Sequence, residues 1–267
     1  FSGPDGLGEL ICRAVERLGA WPVKMGAGRS LGEQAELMES ERPSAYIGMP
    51  VPLLGLLRWM GGPGSLKRAL VSGDACPEGV MGELEKLLGA RLFPHYGSRE
   101  MCLGGAVTCP AHEGMHLREN HVIAEIVSPS GETLPDGEFG ELVITTVDMQ
   151  AMPLIRYKTG DYTRFLAGKC PCGGVTRRLD TVRRAREAPD IAELDSALFP
   201  LPGLIDYAAG FDGETLRIDA VGSVSAVELE AAARELYPAL GISAVVCPAA
   251  PGFRGCCAGK RTITITA

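Results

Sequence analysis

A chain of 267 residues, 46% hydrophobic and 22% charged, is long enough to bury a substantial core and to hold more than one domain. Its net charge of -7 speaks against a nucleic-acid or anionic-membrane partner, because neutralising such surfaces takes concentrated Lys and Arg. No apolar run approaches the roughly 20 residues of a membrane-spanning helix, and the opening FSGPDGLGEL carries no leader pattern, so the cytoplasm is the expected location. The chain opens on Phe1 within a Gly-rich stretch, which creates the expectation that an amino-terminal part precedes it.

In chain order, WPVKM (21–25) reads as a strand. SLGEQAELMESE (30–41) reads as a helix with Ser30 and Glu33 in a capping-box pattern. AYIGM (45–49) is a second strand, VPLLGLLRWM (51–60) a helix and RALVS (68–72) a third strand. PEGVMGELEKLLG (77–89) has Pro near its start and Gly past its end, the asymmetry of a helix, and RLFPHY (91–96) closes the series. This alternation predicts a parallel sheet covered by helices, with ligands gathering at the carboxyl ends of the strands, where GMP, SGDA and HYGSRE fall.

Beyond Glu100 the pattern changes to alternating apolar and polar residues between Gly, Pro and Asp turns (116–146), the mark of antiparallel sheet. From about Pro189 a compact α+β pattern returns. It has helices at IAELDSALF and SAVELEAAARELYPAL and strands at LIDYAAGF, TLRIDAV, SAVVC and RTITIT. The expected fold class is therefore α/β, with a parallel sheet followed by an antiparallel β-rich part and a small C-terminal α+β domain. The division is 1–184 (1–100 α/β, 101–184 β-rich) and 185–267.

Three groups of residues invite a chemical reading. GAGRSLG (26–32) resembles a dinucleotide-binding turn, but no acidic residue ends the next strand, so a capped helix start is preferred. RRLDTVRRAR (177–186) concentrates positive charge and reads as a solvated linker or an internal anion clamp. Cys170 and Cys172 form a tight knuckle that Cys109 and His116 could complete as a four-ligand zinc site; His112 is the substitute for His116. Four protein ligands leave no open position, so that metal would be structural.

HYGSRE, GETLPDGEFGELVITT, AMPLIRYKTGD, CPCGG and SGDA together resemble the adenylate-forming superfamily, in its phenylacetate-CoA ligase and coenzyme F390 synthetase-like branch. The resemblance runs from about Phe1 to Arg184 and more loosely beyond. It implies an AMP-forming ligase that activates a carboxylic acid with ATP and passes it to CoA, with a homodimer as a candidate assembly. By resemblance, Glu100 would bind Mg2+ and Asp161 the ribose hydroxyls. Ser72, Gly73, Asp74, Ala75 and Tyr96 would flank the adenine. Gly97, Ser98 and Arg99 would turn toward the phosphates, with Arg184 near the nucleotide. Gly104, Gly105 and Ala106 would line the acyl pocket, and Lys260 of GKRTI would bridge the acyl-adenylate. The branch carries a Cys, His, Cys, Cys set like that of Cys109, His116, Cys170 and Cys172.

The chain departs from the family pattern in three places. The Ser/Thr/Gly-rich phosphate loop is absent from this sequence, Arg99 stands where a Ser/Thr is usual, and RRARE (183–187) lacks a clear hinge Asp. A non-catalytic module that binds AMP or an acyl-adenylate is therefore an alternative expectation, and a zinc-stabilised scaffold a third.

Overall fold

The computed structural model describes residues 6–25, 28–151, 153–184, 189–256 and 260–266. In chain order its elements begin with helix α1 (Leu7–Arg17), α2 (Leu31–Glu41), strand β1 (Ala45–Gly48), α3 (Pro50–Met60), β2 (Arg68–Val71), α4 (Glu78–Leu88) and β3 (Phe93–Tyr96). A single 3-10 turn, Arg99–Met101, precedes β4 (Ala106–Thr108), β5 (Met115–Leu117), β6 (Val122–Val127), β7 (Gly140–Thr146), β8 (Tyr157–Thr163), β9 (Phe165–Leu166), β10 (Arg178–Leu179) and β11 (Arg183–Arg184). The chain ends with α5 (Ile191–Leu198), β12 (Leu204–Phe211), β13 (Thr215–Gly222), α6 (Ala226–Leu236), β14 (Gly241–Cys247) and β15 (Ile263–Ile265).

The α/β expectation holds, and the sheets show how its parts are joined. One seven-stranded sheet runs β1-β2-β3-β4-β5-β10-β9. Strands β1 to β3 are parallel, and β3 then pairs antiparallel with β4, so the parallel and antiparallel regions share one ladder. The turn between them carries Glu100. A second sheet, β11-β8-β7-β6, is antiparallel throughout. The third, β14-β13-β12-β15, has an antiparallel centre flanked by parallel pairs.

Local sequence accounts for the helices. Ser30 Oγ accepts the amide of Glu33 at 3.2 Å while the Glu33 carboxylate accepts the amide of Ser30 at 2.7 Å, the reciprocal cap the sequence predicts. Such a cap is worth about 1 kcal/mol. The N-terminus of α3 has Pro50 in its first turn, and the helix stops at Gly61, whose φ of 71° lies in the left-handed region. Val51, Leu53, Leu54, Leu56 and Leu57 are all buried, so α3 is apolar around most of its circumference. It packs against α2, α4 and β12, and its Gly55 backs onto the Ile205 carbonyl. Each of those leucines contributes roughly 2 kcal/mol by leaving water.

The core is built in two clusters. The first joins α2, α3 and α4 to α5, α6, β12 and β13 in one continuous set of buried side chains, Leu54, Leu84, Leu198, Phe199 and Tyr207 among them. The second belongs to the β-rich region and centres on Met101, Val122, Ile144, Phe165 and Leu179. Arg58 of α3 links the C-terminal segment to the first cluster, donating to the carbonyls of Phe199 and Leu204 and to Glu83.

Two sequence expectations are corrected. Residues 21–25 form no strand: Arg29 Nη1 takes the carbonyls of Lys24 and Met25 at 2.8 Å each, and a strand needs such acceptors for a ladder partner. The C-terminal helix expected over 225–240 stops at Leu236, because Tyr237 precedes Pro238 and proline disfavours a helical residue before it. The structure also adds α1, which has no buried residue.

Candidate active site

The segment 95–107 runs off the end of β3, turns, and returns as β4. Gly97 is required at the turn: a Cβ there would stand 2.2 Å from the Leu103 carbonyl oxygen, well inside contact distance. Cys102 and Leu103 hold positive φ values of 50° and 70° in the same turn, a costly backbone for side-chain-bearing residues. The result is a sharp return that leaves Glu100 at the lip of the sheet while Met101 is fully buried beneath it.

On the facing sheet, the TGD turn sits inside β8. Gly160 has φ of 72°, and the β7–β8 register shifts at Glu141/Val143, so the strand bulges there. Thr159 Oγ1 donates to the Leu142 carbonyl at 2.7 Å and receives the Asp161 amide at 3.1 Å. The bulge aims Asp161 back at β3. Tyr96 Oη donates to Asp161 Oδ2 at 2.8 Å, and Arg184 Nε lies 3.2 Å from Asp161 Oδ1. Arg184 is further fixed by its bond to the Thr159 carbonyl at 2.7 Å and by the pairing of β11 with β8.

The electrostatics follow from this placement. The Ser98 hydroxyl and local backbone donors hold the Glu100 carboxyl below its ordinary range, with a smaller pull from Arg99 and Arg184. Glu100 is therefore an anion at neutral pH, and Arg184 acts on both it and Asp161. Burial, with the negative Asp161 beside it, drives the Tyr96 phenol upward, so it remains a donor. Ser98 Oγ is shielded from solvent and makes no hydrogen bond of full geometry, so its hold on Glu100 is a loose one.

Other residues singled out in the sequence fall around this centre. Ser72 Oγ lies 2.8 Å from His95 Nδ1, tying the 72–75 loop to β3. Burial pushes the His95 ring to a lower pKa, toward the neutral form. Asp74 Oδ1 accepts the Ala75 amide at 2.9 Å and Asp74 Oδ2 accepts the Arg261 amide at 2.7 Å, which brings the residue after Lys260 to that loop. Lys260 itself is exposed. At Gly105 the space a side chain would need is taken by Met101 Sδ, 2.4 Å from an ideal Cβ, and Ala106 is buried in β4. Those small residues serve close packing in this structure; Gly104 is partly exposed, with Arg118 Nη1 3.0 Å from where its Cβ would be.

The cysteine and histidine atoms also converge. The ligand atoms of Cys109, His116, Cys170 and Cys172 all lie within 4.8 Å of one another. Cys109 Sγ is 3.5 Å from Cys170 Sγ, and Cys172 Sγ is 3.3 Å from His116 Nε2. His116 Nδ1 meets Thr176 Oγ1 at 3.0 Å, so the ring turns Nε2 inward. The substitute candidate His112 is not in this group; its ring packs against Phe93 at 4.8 Å.

In the Arg-rich segment Arg178 is buried and donates to the carbonyls of Glu113, Ala167 and Gly168, whereas Arg177, Arg183 and Arg184 are exposed; Arg177 pairs with Asp136 and Arg184 with Asp161. Residues 26–27 of the glycine turn and 185–187 of the hinge lie outside the described residues.

Comparison with known proteins gives this geometry a lineage. The profile of the AMP-binding enzymes matches residues 22–151, the stretch that holds the 72–75 loop, Tyr96 and Glu100. That stretch is just under half of the chain. The chain is similar to known coenzyme A ligases. It is 34% identical over 178 residues to the phenylacetate-coenzyme A ligase of Escherichia coli (strain K12), a match covering 63% of this chain and 40% of that protein. With the Pseudomonas putida phenylacetate-coenzyme A ligase it shares 32% identity over 163 residues, 58% of this chain and 37% of that protein. The chain thus spans about two fifths of these relatives. Among solved structures, 2-hydroxyisobutyryl-CoA ligase in the postadenylation state superposes with a TM-score of 0.76 at 22% identity, covering 99% of this chain and 64% of that one. A benzoate CoA ligase from Burkholderia xenovorans LB400 gives 0.53 at 17% identity, over 88% and 54%. The AMP-binding enzyme fold is therefore that of this chain.

Proposed function

We propose that the protein acts as an AMP-forming ligase, activating a carboxylic acid with ATP as an acyl-adenylate and transferring the acyl group to CoA. The observation that carries this reading is the convergence of Tyr96, Asp161 and Arg184 beside Glu100, on a scaffold related to phenylacetate-coenzyme A ligases. The acid is of the aryl or arylacetic kind by relationship to those ligases.

In this reading Asp161 accepts both ribose hydroxyls, held in place by Tyr96 and Arg184. The 72–75 loop with Tyr96 flanks the adenine, and Arg184 serves the nucleotide from the Asp161 side. Gly97, Ser98 and Arg99 face the phosphates. Adenylation brings two anions together, so orientation and charge neutralisation are the chain's main tasks. Glu100, ionised and at the lip of the turn, fits a Mg2+ ion, which would supply charge neutralisation at the phosphates. The backbone of Gly104, Gly105 and Ala106 forms one wall of the acyl pocket, and Lys260 supplies a cation to the acyl-adenylate.

Cys109, His116, Cys170 and Cys172 fit a structural Zn2+. The S–S separation of 3.5 Å and the S–N separation of 3.3 Å are close to the edges of a tetrahedron with metal bonds of about 2.0–2.3 Å. We place the domain division at 184/185 and the protein in the cytoplasm, acting on small molecules, with a homodimer as its assembly.

Acid-dependent pyrophosphate exchange in the full chain, across a panel of aryl and arylacetic acids, tests the reading. Exchange with at least one acid supports it. AMP binding without exchange for any acid assigns the protein to the second reading, a nucleotide-binding module derived from such a ligase.

A further inference from the structure

The residue after Lys260 is buried, charged and doubly anchored. Arg261 is 4% exposed, although it lies just before the short strand β15 near the surface. Its Nε meets both carboxylate oxygens of Asp195 at 3.0 Å, Nη1 meets Asp206 Oδ1 at 2.7 Å, and Nη2 donates to the Tyr207 carbonyl at 3.1 Å. The guanidinium also stacks 4.5 Å from the Tyr207 ring, and Tyr207 Oη donates to Asp195 at 2.6 Å. Burying an ion costs several kcal/mol and is tolerated only where its hydrogen bonds are made. Here they are made in full on one side.

The backbone of the same residue faces the other way. Its amide donates to Asp74 Oδ2 at 2.7 Å, across 187 residues of sequence. Asp74 is itself braced by the Ala75 amide. On the far side of Lys260, the Cys256 amide donates to Asp206 Oδ2 at 2.7 Å, so Asp206 holds the chain both before and after the lysine. Residue 261, next to Lys260, is thus fixed through both its side chain and its amide.

We propose that Arg261 and Asp74 are positioning residues: the Arg261 side chain anchors the Lys260 stretch in the C-terminal core, and the Asp74 carboxylate latches it to the 72–75 loop. The inference rests on the nucleotide reading of that loop and adds a second task for Asp74 and a first for Arg261. Both carboxylate oxygens of Asp74 are used, one by the Ala75 amide and one by the Arg261 amide. Asn at position 74 keeps a single acceptor for these two donors and holds the latch only in part, and Ala removes it.

Two measurements on the full chain test this, with Lys260→Ala as the floor. Amide hydrogen exchange of a peptide containing Arg261 reads the latch without any turnover. Pyrophosphate exchange reads its consequence. Asp74→Ala is expected to speed exchange of the Arg261 amide at least tenfold. It is also expected to lower kcat at least tenfold toward the Lys260→Ala level, with the KM for ATP changed less than threefold. Asp74→Asn, with one acceptor oxygen left, is expected to give an Arg261 amide exchange rate between those of wild type and Asp74→Ala. Arg261→Met is expected to give the same kcat loss, and its thermal unfolding shows whether the fold survives. An unchanged Arg261 amide in Asp74→Ala overturns the latch. So does a rise in the KM for ATP with kcat preserved, which assigns Asp74 to the nucleotide alone. If wild type itself shows no pyrophosphate exchange, the ligase reading fails, while hydrogen exchange still decides the latch.

Discussion

Tyr96 and Asp161, 65 residues apart in sequence and on different sheets, are joined by a 2.8 Å hydrogen bond from the phenol to the carboxylate. That bond pins the seven-stranded sheet to the antiparallel one at the point where Arg184 also arrives. In the proposed function, Asp161 spends its remaining acceptor capacity on a ribose. Removing the carboxylate forfeits about 2–3 kcal/mol of charge-assisted hydrogen bonding. Asp161→Ala is therefore expected to weaken AMP binding by about 30- to 150-fold in calorimetric titration. Tyr96→Phe, which frees the carboxylate but leaves it in place, is expected to weaken it by less than tenfold.

The cysteine cluster predicts metal content. Purified protein is expected to carry about one Zn2+ per chain by elemental analysis, and Cys172→Ser to carry little. Because the four ligands come from three segments of the β-rich region, the loop at Cys109, strand β5 and the 170–172 knuckle, chelation is expected to lower Tm by about 5–10 °C. Stoichiometric zinc that survives Cys172→Ser unchanged contradicts the site.

Gly97 predicts a stability effect with no charge involved. Gly97→Ala drives a methyl into the Leu103 carbonyl, 2.2 Å away, and neither backbone segment can yield without unpairing β3 from β4. A loss of about 3 kcal/mol is expected in urea unfolding, together with weaker nucleotide binding. Gly131→Ala, where φ is 88° but a Cβ meets open space, is expected to cost less and to leave binding intact.

Asp195 predicts a pH dependence whose sign runs against ordinary acid denaturation. Burial pushes its carboxyl up to about 6, partly opposed by Arg261. In the unfolded chain the group titrates near ~3.9. Between those values the native state holds a proton that the unfolded state has lost. The associated stability is complete below the lower value and is lost as pH rises through about 6. Wild type minus Asp195→Asn is thus expected to decline by up to about 3 kcal/mol from pH 4 to pH 7 in urea unfolding. A difference that stays flat or rises contradicts this account.

Much of the fold was legible because its signals were local. The capping box at Ser30 and Glu33, the Pro77 start and Gly89 stop of α4, and the alternation in β6 and β7 each depend on near neighbours. The stretch 21–25 misled because β character is realised only by pairing, and Arg29 occupies its acceptors. At the site, residue types and motif order indicated Glu100, Asp161 and the Cys/His set. Arg261 was passed over because an Arg after a Lys reads as surface charge. Nothing near it in sequence reveals Asp195 and Asp206, 66 and 55 positions away. The packing role of Gly105 was equally hidden, since a glycine run looks the same whether it clears a pocket or admits Met101.

The most direct test of the central claim is a crystal structure of the full chain with AMP and Mg2+. The account predicts both ribose hydroxyls within hydrogen-bond reach of Asp161, the base beside residues 72–75 and the phosphate facing Ser98 and Glu100. A nucleotide bound with its sugar turned away from Asp161, or seated on another surface, contradicts it.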